Sequence, residues 1–137
     1  MDIEKLKQTL IIDEGLKLKL YLDHLGIESI GVGRNLRDRG ISEETAMQML
    51  DEDIEIVQHE LSQNLPFYDE MPEAVQLALC NLCFNMGISR LLQFKKTLQH
   101  LKNKEFGKAS DELLDSRYAT QLPNRSKRVA DLIRSAE

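Results

Sequence analysis

Apolar positions repeat with two different periods along this chain, and the change of period marks its organisation. Ile3, Leu6, Leu10 and Ile11 fall three and four residues apart, which paints one face of a helix. Glu14 closes that stretch. Gly15 follows it, and glycine terminates helices because it enters left-handed backbone without a Cβ clash. From Leu16 the period becomes two. Leu16, Leu18, Leu20 and Leu22 alternate with Lys17, Lys19, Tyr21 and Asp23, the signature of a half-buried strand. Gly26 offers a turn. Ile30 and Val32 alternate with Gly31 and Gly33, so a second short strand returns beside the first. Residues 34–41 read as a polar loop closed by Gly40.

Helical periodicity then takes over. Ser42 is a candidate N-cap, and Glu43 and Glu44 suit the positive end of the helix it would start. Met47, Leu50, Ile54, Val57 and Leu61 predict a long amphipathic helix that ends before Pro66. Pro72 suits the first turn of the next helix. Residues 73–86 are apolar nearly all round and read as the buried central helix, capped by Gly87. Shorter helices carry Leu91, Leu92, Phe94, Leu98 and Leu101, then Ala109, Leu113 and Leu114, and Pro123 opens a last one.

Length and composition narrow the class. A chain of 137 residues with 42% hydrophobic and 30% charged side chains is an ordinary globular domain with room for a real core. No apolar run approaches the roughly 20 residues that cross a bilayer, so stable membrane insertion is not expected. The N-terminal segment is a charged amphipathic helix rather than the apolar stretch of a signal peptide. Cys80 and Cys83 form a lone CxxC inside a helical pattern. With no second ligand pair they predict reduced, buried thiols rather than a zinc or redox site. The net charge of −5 is unevenly spread: residues 41–85 hold ten acidic and no basic groups. That block reads as a solvated helix face. No nucleic-acid partner, metal or organic cofactor is expected.

Glu14 at a helix end and Asp23 at a strand end are the candidate chemistry. Paired carboxylates in different environments are the equipment of glycoside hydrolysis: one donates a proton to the leaving oxygen, the other stays ionised and activates water or attacks carbon. The negative end of a helix disfavours an anion at Glu14, which suits the acid. Turn amides suit an ionised Asp23. Spacing alone leaves open two solvated carboxylates with no role.

The stretch DEGLKLKLYLD followed by GIESIGVG resembles the active-site signature of phage-type lysozymes, the endolysins of glycoside hydrolase family twenty-four. Glu14, Asp23 and Ser29 fall on the Glu, Asp and Thr positions of that signature, and Ser29 keeps the hydroxyl that would orient water. Arg34 stands where many members carry His. Phe84-Asn85-Met86-Gly87 is similar to a segment the family places beside its cleft, which makes Asn85 a candidate sugar contact. A helix-end polar residue satisfying backbone is the even alternative. SRYATQLPNRSKRV, residues 116–129, is similar to a second family motif, with Tyr118 for the usual Trp. There the Arg of the PNR triplet pairs with the catalytic Glu, so the resemblance implies that Arg125 approaches Glu14, raising a conflict over the Glu14 pKa. Gln121 would hold substrate or a loop.

The resemblance implies an α+β lysozyme-like fold, mostly helical, as a single domain. Its small β-hairpin lobe spans about 12–45, a connecting helix about 43–64, and a helical lobe about 66–137 together with the N-terminal helix. It implies hydrolysis of the β-1,4 bond between N-acetylmuramic acid and N-acetylglucosamine in bacterial peptidoglycan, with host lysis as the outcome. Glu14 would be the acid, Asp23 the base or electrostatic partner, and Ser29 a holder of water. A monomer made in the host cytoplasm would reach the wall with the help of a holin-like protein. Two alternatives stand beside this. A lytic transglycosylase would leave an anhydro-sugar end and would not need Asp23. A non-catalytic peptidoglycan-binding module would be indifferent to loss of Glu14.

Overall fold

A computed structural model describes residues 1–137, which divide into two compact units, Met1–Gln48 and Met49–Glu137. The chain is mostly helical with one small antiparallel sheet, the α+β class expected from the sequence.

The first unit opens with α1 (Ile3–Glu14). Asp2 caps it by accepting from the Lys5 amide at 3.0 Å, and the Gly15 amide closes it on the Ile11 carbonyl at 2.8 Å. The sheet follows as β1 (Lys17–Leu22), β2 (Glu28–Gly31) and β3 (Arg34–Asn35), with β2 in the middle. Its register sets Lys17 opposite Gly31, Tyr21 opposite Ser29 and Leu22 opposite Glu28, with an irregularity between Lys17 and Tyr21.

Two expectations for this unit are corrected. Residues 34–41 are not a plain loop. Arg34 and Asn35 pair with Ile30 and Ser29, and a one-turn helix, α2 (Leu36–Arg39), follows. Asn35 makes the difference: its side-chain oxygen accepts from the Asp38 amide at 3.0 Å and its amide nitrogen donates to the Asp38 carboxylate at 2.8 Å. Nor is β1 half-buried. Leu16, Leu18, Leu20 and Leu22 are all exposed, because α2 packs against β2 and β3 and leaves β1 uncovered. Alternation specifies a strand; burial needs a second layer to pack against. The apolar face of α1 likewise contains no buried residue.

The division between the units falls within α3 (Glu43–Asn64), whose start is capped as expected: Ser42 Oγ accepts from the Thr45 amide at 3.0 Å. In the second unit Val57 and Leu61 of α3 enter a core shared with α4 (Glu73–Met86), α5 (Ile88–Leu91), α6 (Lys95–Lys102), α7 (Phe106–Leu114), α8 (Arg117–Gln121) and α9 (Pro123–Arg134). Each leucine buried there contributes about 1.5–3 kcal/mol from apolar surface removed from water. Helix α9 packs on both α4 and α7. Pro123 starts α9, where its missing N–H costs nothing, as the sequence predicts.

Helix α4 is central but not buried all round. Val75, Ala78, Leu79, Leu82 and Cys83 enter the core, whereas Leu77 and Phe84 remain 54% and 46% exposed. These two line a shallow depression of about 250 Å³ with Leu50, Ile54, Cys80, Asn81 and Arg125. The helix thus has one face in the core and a second apolar face toward the surface.

Candidate active site

Asp23 is the most firmly built of the candidate residues. It lies just past β1, where the chain turns at Gly26 into β2. The Asp23 amide donates to the Ile27 carbonyl at 3.0 Å, and the Gly26 amide donates to the Asp23 carbonyl at 2.9 Å. One carboxylate oxygen, Oδ1, accepts from the amides of Leu25 and Ile27 at 2.8 and 3.0 Å. These donors, Ile27 foremost, hold the carboxyl below its ordinary pKa, with smaller help from His24 and Arg37. The side chain is therefore an anion fixed through one oxygen. The other, Oδ2, is left for an external partner.

Glu14 is the last residue of α1, and Gly15 turns the chain directly into β1. Its carboxyl packs on Gly33, just beyond β2, so closely that a Cβ there would collide with it. Glu14 therefore stands near the end of the sheet where Lys17 faces Gly31, and Asp23 stands at the turn end where Leu22 faces Glu28. Strand β1 lies between the two carboxylates.

Ser29 sits on the central strand between Tyr21 and Asn35 and is buried at 2% exposure. Its hydroxyl donates to the Ile27 carbonyl at 3.2 Å. The proton is thus committed to the turn that holds Asp23, and the lone pairs remain to accept. Arg34 donates from Nε to the Gly40 carbonyl at 3.1 Å, closing the 34–40 segment on itself.

The remaining candidates belong to the second unit. Asn85 is exposed on the last turn of α4, and Gln121 is exposed at the end of α8. Arg125, in the first turn of α9, is engaged within its own unit. Its Nε donates to Asn81 Oδ1 at 2.8 Å and its Nη2 to the Asn81 carbonyl at 3.3 Å. Asn81 was not singled out from sequence. The available signal is its polarity between Cys80 and Leu82 in the mostly apolar run EAVQLALCNLCFNM. Tyr118 is buried, with its ring edge-on to Phe94 at 6.3 Å and 82° and its hydroxyl without a partner.

Comparison with known proteins places the sequence among relatives. A family model described as phage lysozyme covers residues 12–135. Two relatives from Dictyostelium discoideum align over nearly the whole of both chains. A probable T4-type lysozyme 2 is 30% identical over 93% of this chain and 92% of its own length. A probable T4-type lysozyme 1 is 24% identical over 96% and 94%. The pre-baseplate central spike protein of Enterobacteria phage T4 is 26% identical over 88% of this chain, which corresponds to 26% of the spike protein.

Proposed function

The chain belongs to the phage lysozyme family and is a glycoside hydrolase of the peptidoglycan-cleaving kind, and from that premise we propose that it hydrolyses the β-1,4 bond between N-acetylmuramic acid and N-acetylglucosamine. The observation that carries the proposal is Asp23: an anion tied by two backbone amides through one oxygen and free at the other. Such a group holds a water or faces a developing positive charge without reorganising as the reaction proceeds.

Glu14 is the general acid in this reading and protonates the glycosidic oxygen as the bond breaks. Asp23 Oδ2 takes a proton from the attacking water, or faces the oxocarbenium-like centre. Ser29 supports the turn behind Asp23 and offers its lone pairs to the water. Asn85, Gln121 and Arg125 contact or orient the glycan. The biological setting consistent with this activity is lysis of a bacterial host, by a monomer released to the wall with a holin-like protein.

The test is digestion of purified peptidoglycan by the parent and by Glu14→Gln, with mass spectrometry of the fragments. Reducing-end N-acetylmuramic acid products from the parent alone support the proposal. Anhydro-sugar ends would make the protein a lytic transglycosylase. Absence of product from both would leave a wall-binding module.

A further inference from the structure

Arg37 stands outside the lysozyme-like signature, yet its guanidinium reaches back to the catalytic turn. It projects from α2, which the Asn35–Asp38 pair of bonds fixes at its start. Its Nε donates to Glu28 Oε2 at 2.8 Å and its Nη2 to Glu28 Oε1 at 2.5 Å, a two-pronged ion pair. The same Nη2 lies 3.4 Å from the Gly26 carbonyl. Glu28 and Gly26 bracket Ile27, whose amide binds the Asp23 carboxylate. Arg37 lies nine positions after Glu28 and on α2, so the clamp ties the turn to a separate element rather than to itself.

We propose that Arg37, acting through Glu28 and Gly26, is a positioning residue for Asp23. The inference rests on the reading of Asp23 as the water-side carboxylate. Without the clamp, the turn of residues 23–28 is held by its own short-range hydrogen bonds and by the strand pairing it closes, and the direction of Oδ2 is set less sharply. A planar, bidentate guanidinium fixes orientation in a way an ammonium does not. The titratable groups that act on Asp23 are His24, Glu28 and Arg37. Glu28 and Arg37 are both partly exposed, and such ion pairs contribute little to global stability, so the clamp acts on geometry more than on folding.

The experiment compares the parent with Arg37→Gln, Arg37→Lys and the exchanged pair Glu28→Arg/Arg37→Glu on soluble peptidoglycan fragments. The readouts are kcat, KM, the pH profile and thermal unfolding. Titration of Asp23 by carboxyl NMR, together with the Leu25 and Ile27 amide signals, provides a readout independent of turnover. Arg37→Gln is expected to lower kcat about tenfold with KM nearly unchanged, since small misplacements of catalytic groups have effects of this order. The acid limb of its profile moves to higher pH, because a cation near the carboxylate is gone. Arg37→Lys keeps the limb in place but not the full kcat, and the exchanged pair recovers part of it. Unchanged kcat and unchanged amide signals in Arg37→Gln overturn the inference while leaving the hydrolase intact. A loss of kcat matched by an equal loss of folded protein overturns it as well. An inactive parent would sink the hydrolase reading, and Asp23 titrating identically in parent and Arg37→Gln would then remove the clamp too.

Discussion

The carboxyl of Glu14 rests on the backbone of Gly33. A Cβ added at Gly33 would lie 2.6 Å from Oε2 and 3.0 Å from Cδ of Glu14, and the residue has a φ of +60°. Gly33→Ala therefore meets two obstacles. The left-handed backbone costs an L-residue about 1–2 kcal/mol, and the carboxyl must swing away to make room. Stability is expected to drop by that amount in thermal unfolding. Turnover should fall about 10- to 100-fold, as expected for a displaced catalytic group. In a Glu14→Gln background the same change should reduce activity no further, and an additive loss would separate Gly33 from Glu14.

Asn81 fixes Arg125 through its side-chain oxygen and its carbonyl. Asn81→Ala removes the 2.8 Å partner of Nε and leaves only the weaker backbone bond. The expected losses are about 1 kcal/mol in stability and roughly tenfold in kcat/KM, the order seen when a supporting group is misplaced. Asn81→Asp retains an acceptor and should keep the fold and much of the activity. Parent-like kinetics in Asn81→Ala would mean that Arg125 needs no such support.

The legibility of the chain follows from the range of the interactions involved. Helix ends with local causes were readable: the Gly15 and Gly87 caps, Ser42 before α3 and Pro123 at the start of α9 all act within one turn. The turn at Gly26 and the carboxyl at its edge were readable for the same reason. What escaped depends on partners far along the chain. The exposure of Leu18 and Leu20 reflects a missing layer over β1, which no alternation records. The one-turn helix after Asn35 is the exception, a local feature that rests on a single Asx cap in a segment whose composition suggests a loop. Asn81 meets Arg125 across 44 residues, and Arg37 meets Glu28 across nine. Glu14, Asp23 and Ser29 are candidates that a motif can propose, whereas Asn81 and Arg37 belong to no motif and emerge only from the packing.

Acid should loosen the fold through three carboxylates whose pKa is lowered. Asp23 is held down chiefly by the Ile27 amide, Glu28 by Arg37 and Glu105 by His100 and then Lys108. Each binds its proton less readily folded than unfolded, where the values are 3.8 for Asp and 4.5 for Glu. Their contribution is therefore complete above the unfolded values and is lost as pH falls through the lower folded ones. Thermal unfolding followed from pH 7 downward should be nearly flat until about pH 5 and then decline, the window set by the Glu reference near 4.3–4.5. Asp23→Asn retains an oxygen acceptor for the turn amides but has no proton to bind. Its decline should be shallower than the parent's, and identical curves would show that the Asp23 turn makes no linked contribution.

The two thiols of α4 differ in burial although one turn separates them. Cys83 is 3% exposed, and burial, followed by Glu60 and Cys80, pushes its thiol up to about 11. At pH 8 only about one such group in a thousand is thiolate, the nucleophilic form. Cys80 is half-buried at the edge of the surface depression, with its sulfur 3.0 Å from the Tyr68 hydroxyl. An aromatic disulfide reagent at pH 8 should titrate at most one thiol in the native protein and two after guanidinium unfolding. Mass mapping should place the native adduct on Cys80. Cys83→Ser puts a hydroxyl into an apolar site and should cost about 1–3 kcal/mol, whereas Cys83→Ala should cost less. Rapid native labelling of both thiols would instead mean that α4 opens from the core faster than the reagent reacts.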